Sequence, residues 1–128
     1  MDTEIETADE LPTTVQLGAR TFEITPPGYT ARWEVVRAYS GNAHRALAAA
    51  LGLCLGGRLA RMLEKQGGQP VTYEGCGCDP LVYGGRVIDA LIAQRIELPQ
   101  ILAAGGVAFR HCAAALITEQ EIEASAKN

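Results

Sequence analysis

Four cysteines and two histidines are the residues of this chain best suited to chemistry. Cys76-Gly77-Cys78 lies in a glycine-rich stretch, and His111 directly precedes Cys112. Zinc takes four sulfur or nitrogen ligands in a tetrahedron, so Cys76, Cys78, His111 and Cys112 suffice in number for one site. Their spacing argues against it. Zinc modules place two or more residues between paired cysteines, and adjacent residues on a helix point about 100° apart. Cys54 and Cys112 fall on apolar stripes, where cysteine behaves as a small hydrophobe. The expectation is no metal and no cofactor, with the Cys76, Cys78, His111, Cys112 set as the alternative. A nucleophilic cysteine needs a neighbouring base, and nothing in the sequence places His44 or His111 beside Cys76 or Cys78. No Ser-His-Asp set or paired-carboxylate motif stands out. No catalytic residue is assigned, and the chain is not expected to be an enzyme.

The elements that would position such groups are mostly helices. Val15/Leu17 and Phe22/Ile24 alternate with polar residues around Gly18, which predicts a β-hairpin over residues 13–25. Thr30 is an N-cap candidate for a helix over 31–39, with Trp33, Val36 and Ala38 on its apolar face. Asn42 is placed to cap a second helix over 43–66. Its stripe is Leu47, Leu51, Cys54, Leu55, Leu59, Met62 and Leu63. Gly67-Gly68-Gln69-Pro70 stops it. Asp79 followed by Pro80 predicts the start of a third helix, with Leu81, Val87, Ile88, Leu91 and Ile92 inward. Leu98-Pro99 opens a fourth, with Ile101, Leu102, Val107, Ala108, Phe109, Cys112, Ala113 and Leu116 inward. Thr118-Glu119-Gln120-Glu121 has the form of a capping box for a short last helix.

Two surface features bear on partners. Arg58, Arg61 and Lys65, with Arg45 nearby, form a basic ridge that reads as either a solvated helix face or the rim of a contact. Gly-Gly pairs occur at 56–57, 67–68, 84–85 and 105–106. Three of them fall inside predicted helices, where each glycine costs about 1 kcal/mol against alanine. Close helix approach or local softness would offset that. A candidate groove for a partner helix therefore lies between the third and fourth helices, near Gly84-Gly85 and Gly105-Gly106.

At 128 residues and 48% hydrophobic composition the chain has room for one core. With 5% aromatics, that core is built from Ala, Leu, Ile and Val, which favours helices. The net charge of −4 argues against a dedicated nucleic-acid binder. Asp2, Glu4, Glu6, Asp9 and Glu10 make residues 1–12 an acidic leader, the wrong sign for a signal peptide. The longest apolar run covers 46–57, far short of the roughly 20 residues of a bilayer span. The chain is expected to be cytoplasmic, with reduced thiols. The fold class is mainly α, a bundle-like domain of four to five helices with a short N-terminal hairpin. It divides into the leader over 1–12, the helical domain over 13–117 and a short acidic helix or tail over 118–128.

The order of the pieces has a parallel. Val15-Gln16-Leu17-Gly18-Ala19-Arg20-Thr21-Phe22-Glu23-Ile24 leads through Pro26-Pro27 into helices that contain Trp33. Then follow Tyr83-Gly84-Gly85-Arg86-Val87-Ile88-Asp89-Ala90-Leu91 and a helix-rich acidic C-terminus. Over about residues 13–126 this resembles the small tail assembly chaperones of long-tailed bacteriophages. The resemblance implies a non-enzymatic protein that coats a long, helical tape measure protein in the host cytoplasm before the tail tube polymerises. It implies no catalytic residues. Chaperones of this type are often made in two lengths by a ribosomal slip, and Ala126-Lys127-Asn128 is compatible with a slippery run of adenines. The alternatives are a structural or connector subunit of the virion and a small regulatory protein-binding module.

Overall fold

The structure is a computed structural model that describes residues 11–65 and 71–127, with side chains described except at 63–65, 115 and 117–127. The expected leader over 1–10 and the stop at Gly67-Gly68-Gln69-Pro70 lie outside the described residues. Strands β1 (Thr14–Leu17) and β2 (Arg20–Glu23) form an antiparallel hairpin, with Val15 opposite Phe22. Among the described residues five α-helices follow: α1 (Tyr29–Ala38), α2 (Ala43–Leu55), α3 (Gly57–Lys65), α4 (Pro80–Ala93) and α5 (Leu98–Lys127). The expected class, mainly helical with an N-terminal hairpin, holds.

Alternation explains the hairpin. Val15, Leu17 and Phe22 are buried, while Gln16 and Thr21 face solvent. Burying side chains of this size contributes roughly 1.5–3 kcal/mol each, which an isolated two-stranded ribbon lacks. Its strands lean on the helices. The Thr25 N–H donates to the Cys54 carbonyl at 3.2 Å, and the Gly18 N–H donates to Gln100 Oε1 at 3.2 Å.

Two helix starts follow the expected capping chemistry. Asn42 Oδ1 accepts from the Arg45 N–H at 3.0 Å, and Asp79 Oδ1 accepts from the N–H groups of Leu81 and Val82, with Pro80 at the first helical position. The first helix starts differently. It begins at Tyr29 behind Gly28, with no side-chain cap, and Thr30 lies inside it. Its inward residues are Arg32 and Val35, whereas Trp33 remains 40% exposed.

The expected single helix over 43–66 is two helices. Gly56 between them has φ +54° and ψ −131°, a backbone conformation that costs residues with a Cβ about 1–3 kcal/mol. Arg58 reaches back over this break. Its Nε donates to the Leu55 carbonyl at 3.2 Å and its NH2 donates to the Cys54 carbonyl at 3.0 Å. These are carbonyls at a helix end, where the helix itself supplies no donor, and the Cys54 carbonyl also accepts from the Thr25 N–H.

The last helix also departs from expectation. It runs from Leu98 to Lys127 without a break at Thr118. No glycine or proline follows Gly106, so nothing in the backbone forces a stop, and a Thr-x-x-Glu sequence is equally compatible with a helix interior. Thirty residues make a helix of about 45 Å.

The core centres on α2, whose Ala46, Ala48, Ala49, Ala50, Leu51, Gly52, Cys54 and Leu55 are all buried. Helices α4 and α5 both pack closely on α2 and touch each other far less. Glycines make that approach possible. A Cβ built on Gly84 would stand 1.9 Å from the Arg45 carbonyl oxygen, and one on Gly105 would stand 2.7 Å from that of Leu47.

Candidate functional site

The alternative zinc set of Cys76, Cys78, His111 and Cys112 is not brought together. Among the described residues no group of three or more His, Cys, Asp or Glu side chains is placed to hold a metal ion. Cys112 is buried against α2, where its sulfur lies 3.9 Å from that of Cys54. His111, on the neighbouring face of α5, donates from Nε2 to the Pro12 carbonyl at 2.7 Å. That bond, with the burial of Leu11, ties the end of the expected leader onto the body. Cys76 closes a 3-10 turn (Glu74–Cys76), and Cys78 is exposed, with φ +54°.

Two cavities border this region. One of about 230 Å³ lies beside the α2–α3 break, lined by Gly52, Leu53, Gly56, Val71, Tyr73 and Tyr83. The usual ligand pocket holds about 300–1,000 Å³. Tyr73 and Tyr83 meet edge to face across it, with ring centroids 5.4 Å apart. Tyr73 donates its hydroxyl to Glu34 Oε1 at 2.6 Å. Burial and this bond raise the Tyr73 pKa above the ordinary tyrosine value, and burial does the same for Tyr83. A second opening of about 450 Å³ is bordered by Glu34, Arg37, Cys78 and Asp79. Its carboxylates are already engaged, Glu34 by Tyr73 and Asp79 by the start of α4.

The expected basic ridge is divided. Arg58 is half-buried and spent on the end of α2. Arg61 is exposed, and the side chain of Lys65 lies outside the described residues. Arg45 stands near the other end of α2, its guanidinium over Gly85 on α4.

The expected groove between α4 and α5 is also corrected. Gly84 and Gly105 face α2 and are filled by its backbone, so neither lines an opening for a partner. The pairs split between inside and outside. A Cβ on Gly85 would meet the Arg45 side chain at 3.3 Å, while one on Gly106 would meet nothing within 4 Å.

Gly106 lies on an apolar ridge that includes Leu102, Phe109 and Ala113, three residues expected inward. Leu98, Leu102, Gly106, Phe109 and Ala113 follow at steps of four, four, three and four residues, which align along one face of α5. Leu98 is 37% exposed and the other four are half-buried. Tyr39, 47% exposed, extends the ridge from α1, its ring 5.1 Å from that of Phe109. The ridge spans about 23 Å of helix, or some four turns. Elsewhere Tyr29, Val82 and Ile92 are exposed large apolar residues, and Ile92 too was expected inward. The buried Arg32 had no signal in the sequence beyond its neighbours. It donates to the Pro27 carbonyl and lies 5.9 Å from the Tyr29 ring centroid.

No helix among the described residues is long and apolar enough to cross a membrane. Comparison with protein families, curated proteins and solved structures finds no match to this chain.

Proposed function

We propose that the chain is a non-enzymatic protein-binding module whose contact surface is the apolar ridge of α5. Within that class it acts as a tail assembly chaperone. It binds and solubilises a long helical tape measure protein in the host cytoplasm during phage tail morphogenesis.

The carrying observation is the ridge of Leu98, Leu102, Gly106, Phe109 and Ala113 with Tyr39 at its side. Amphipathic helices dock through apolar anchors repeated every three or four residues, and a ridge of four turns matches such a partner in length. The open position at Gly106 leaves a notch for one partner side chain. The functional reading beyond protein binding rests on the resemblance of residues 13–126 to the tail chaperones.

Co-expression tests it. The partner to use is a very long, helix-rich protein encoded next to this chain. The expected result is that the partner is soluble and co-purifies only when this chain is present, and that finished particles lack the chain. A stoichiometric copy number in finished particles would instead make it a structural or connector subunit.

A further inference from the structure

Cys54 lies in the last turn of α2 among its buried residues, and Cys112 faces it from α5. They are 1% and 0% exposed, and their sulfurs lie 3.9 Å apart. The Ala108 carbonyl oxygen, one turn before Cys112, also lies 3.9 Å from the Cys54 sulfur and is the alternative acceptor for its single S–H. A disulfide needs sulfurs at about 2.05 Å, so closing the pair requires an approach of roughly 1.9 Å. Closing the pair therefore calls on side-chain rotation and a small shift of α5 against α2. The neighbours on both helices include alanines, Ala50 on α2 and Ala108 on α5.

We propose that Cys54 and Cys112 are a redox latch, in which a small peroxide joins them as a disulfide that staples α2 to α5. The first sulfur to react is that of Cys112. The hydrogen bond from Cys54 lowers its pKa, against the opposing effect of burial, and the positive charge of Arg32 adds to the lowering. The same bond and burial push the Cys54 thiol up, so Cys54 keeps its proton. The Cys112 thiolate attacks one peroxide oxygen. The O–O bond breaks, hydroxide leaves and takes up the proton that Cys112 released on forming the thiolate, and Cys112 becomes a sulfenic acid. Cys54 then attacks that sulfur, the S–O bond breaks, and the hydroxyl leaves as water with the thiol proton. Two thiols are oxidised and one peroxide is reduced to two waters. The latch joins the core helix to the helix that carries the apolar ridge, so oxidation restrains the surface offered to a partner.

The full chain, with Cys76→Ser and Cys78→Ser to remove the two loop thiols, is treated with hydrogen peroxide. It is then unfolded, alkylated and peptide-mapped. The expected product is one peptide pair linked through Cys54 and Cys112, with a mass lower by two hydrogens and a raised Tm. Dithiothreitol restores the original mass and Tm. The Cys54→Ala variant, judged folded by circular dichroism, is expected to stop at a sulfenic or higher acid on Cys112, with no linked peptide and no rise in Tm. Free, alkylatable Cys54 and Cys112 after peroxide overturn the proposal, as does sulfinic acid on either without a link. If Cys76→Ser/Cys78→Ser does not fold, the same map is made on the unaltered chain. There a Cys76–Cys78 link in place of Cys54–Cys112 overturns it.

Discussion

Gly84 and the Arg45 carbonyl define how closely α4 approaches α2: a Cβ added at Gly84 would stand 1.9 Å from that oxygen. No backbone atom tolerates such an approach, so the two helices would have to part.

Gly84→Ala is therefore expected to destabilise the fold by about 3 kcal/mol or more. Gly106→Ala is expected to stabilise it by about 0.5–1 kcal/mol, because its Cβ enters open space and alanine is the better helix former. Urea unfolding midpoints for the two variants check both signs. Equal effects would mean that the inside–outside split of the glycines is wrong.

Arg58 and Arg61 lie three residues apart and have different tasks. Arg58→Ala removes the side-chain donors from the Leu55 and Cys54 carbonyls, of which the Cys54 one keeps the Thr25 N–H, and is expected to cost about 1–2 kcal/mol. Arg61→Ala, at an exposed position, is expected to stay within about 0.5 kcal/mol. Thermal unfolding of the pair separates a helix cap from a solvated ridge.

Alkaline pH acts on the two facing tyrosines. Their folded-state pKa values are raised above the ordinary 10.0, so above about pH 10 the unfolded chain ionises while the folded one keeps its protons. The folded state then holds more protons, and stability falls as pH rises, levelling only above the folded-state values. Tyr83→Phe is expected to flatten this fall. Tyr73→Phe should do the same and lose about 1.5–3 kcal/mol at neutral pH with its bond to Glu34. Tm measured from pH 8 to 11 for the three proteins gives the slopes.

Local chemistry was the legible part of the sequence. Asn42 and Asp79-Pro80 mark helix starts because their side chains bond N–H groups two or three residues away. The alternation around Gly18 marks the hairpin for the same local reason. What escaped depends on partners distant in sequence. Gly56 reads like any other helix glycine until its positive φ breaks 43–66 in two. Leu102 and Phe109 read as core residues, since apolar periodicity reports that a stripe exists and not how much of it a neighbour covers. Both are only half-buried, Phe109 still packing against the core, because α5 turns Ile101, Gly105, Ala108 and Cys112 more fully inward. Spacing and the apolar stripe around Cys112 argue against a zinc site from sequence alone. The separation of the four candidates is a tertiary fact, with Cys112 packed against Cys54 and His111 bonded to Pro12.

The most direct test of the central claim is the affinity of the full chain for an amphipathic helical segment of the proposed partner, measured by isothermal titration calorimetry with Gly106→Ala and Gly106→Glu alongside. Position 106 is open, so both variants are expected to fold, as circular dichroism and Tm would verify. Gly106→Ala is expected to weaken binding modestly by narrowing the notch. Gly106→Glu should weaken it at least about tenfold, by placing a charge on the apolar ridge at a cost of roughly 1.4 kcal/mol or more. Unchanged affinity in a folded Gly106→Glu protein would contradict the account and move the contact surface off α5.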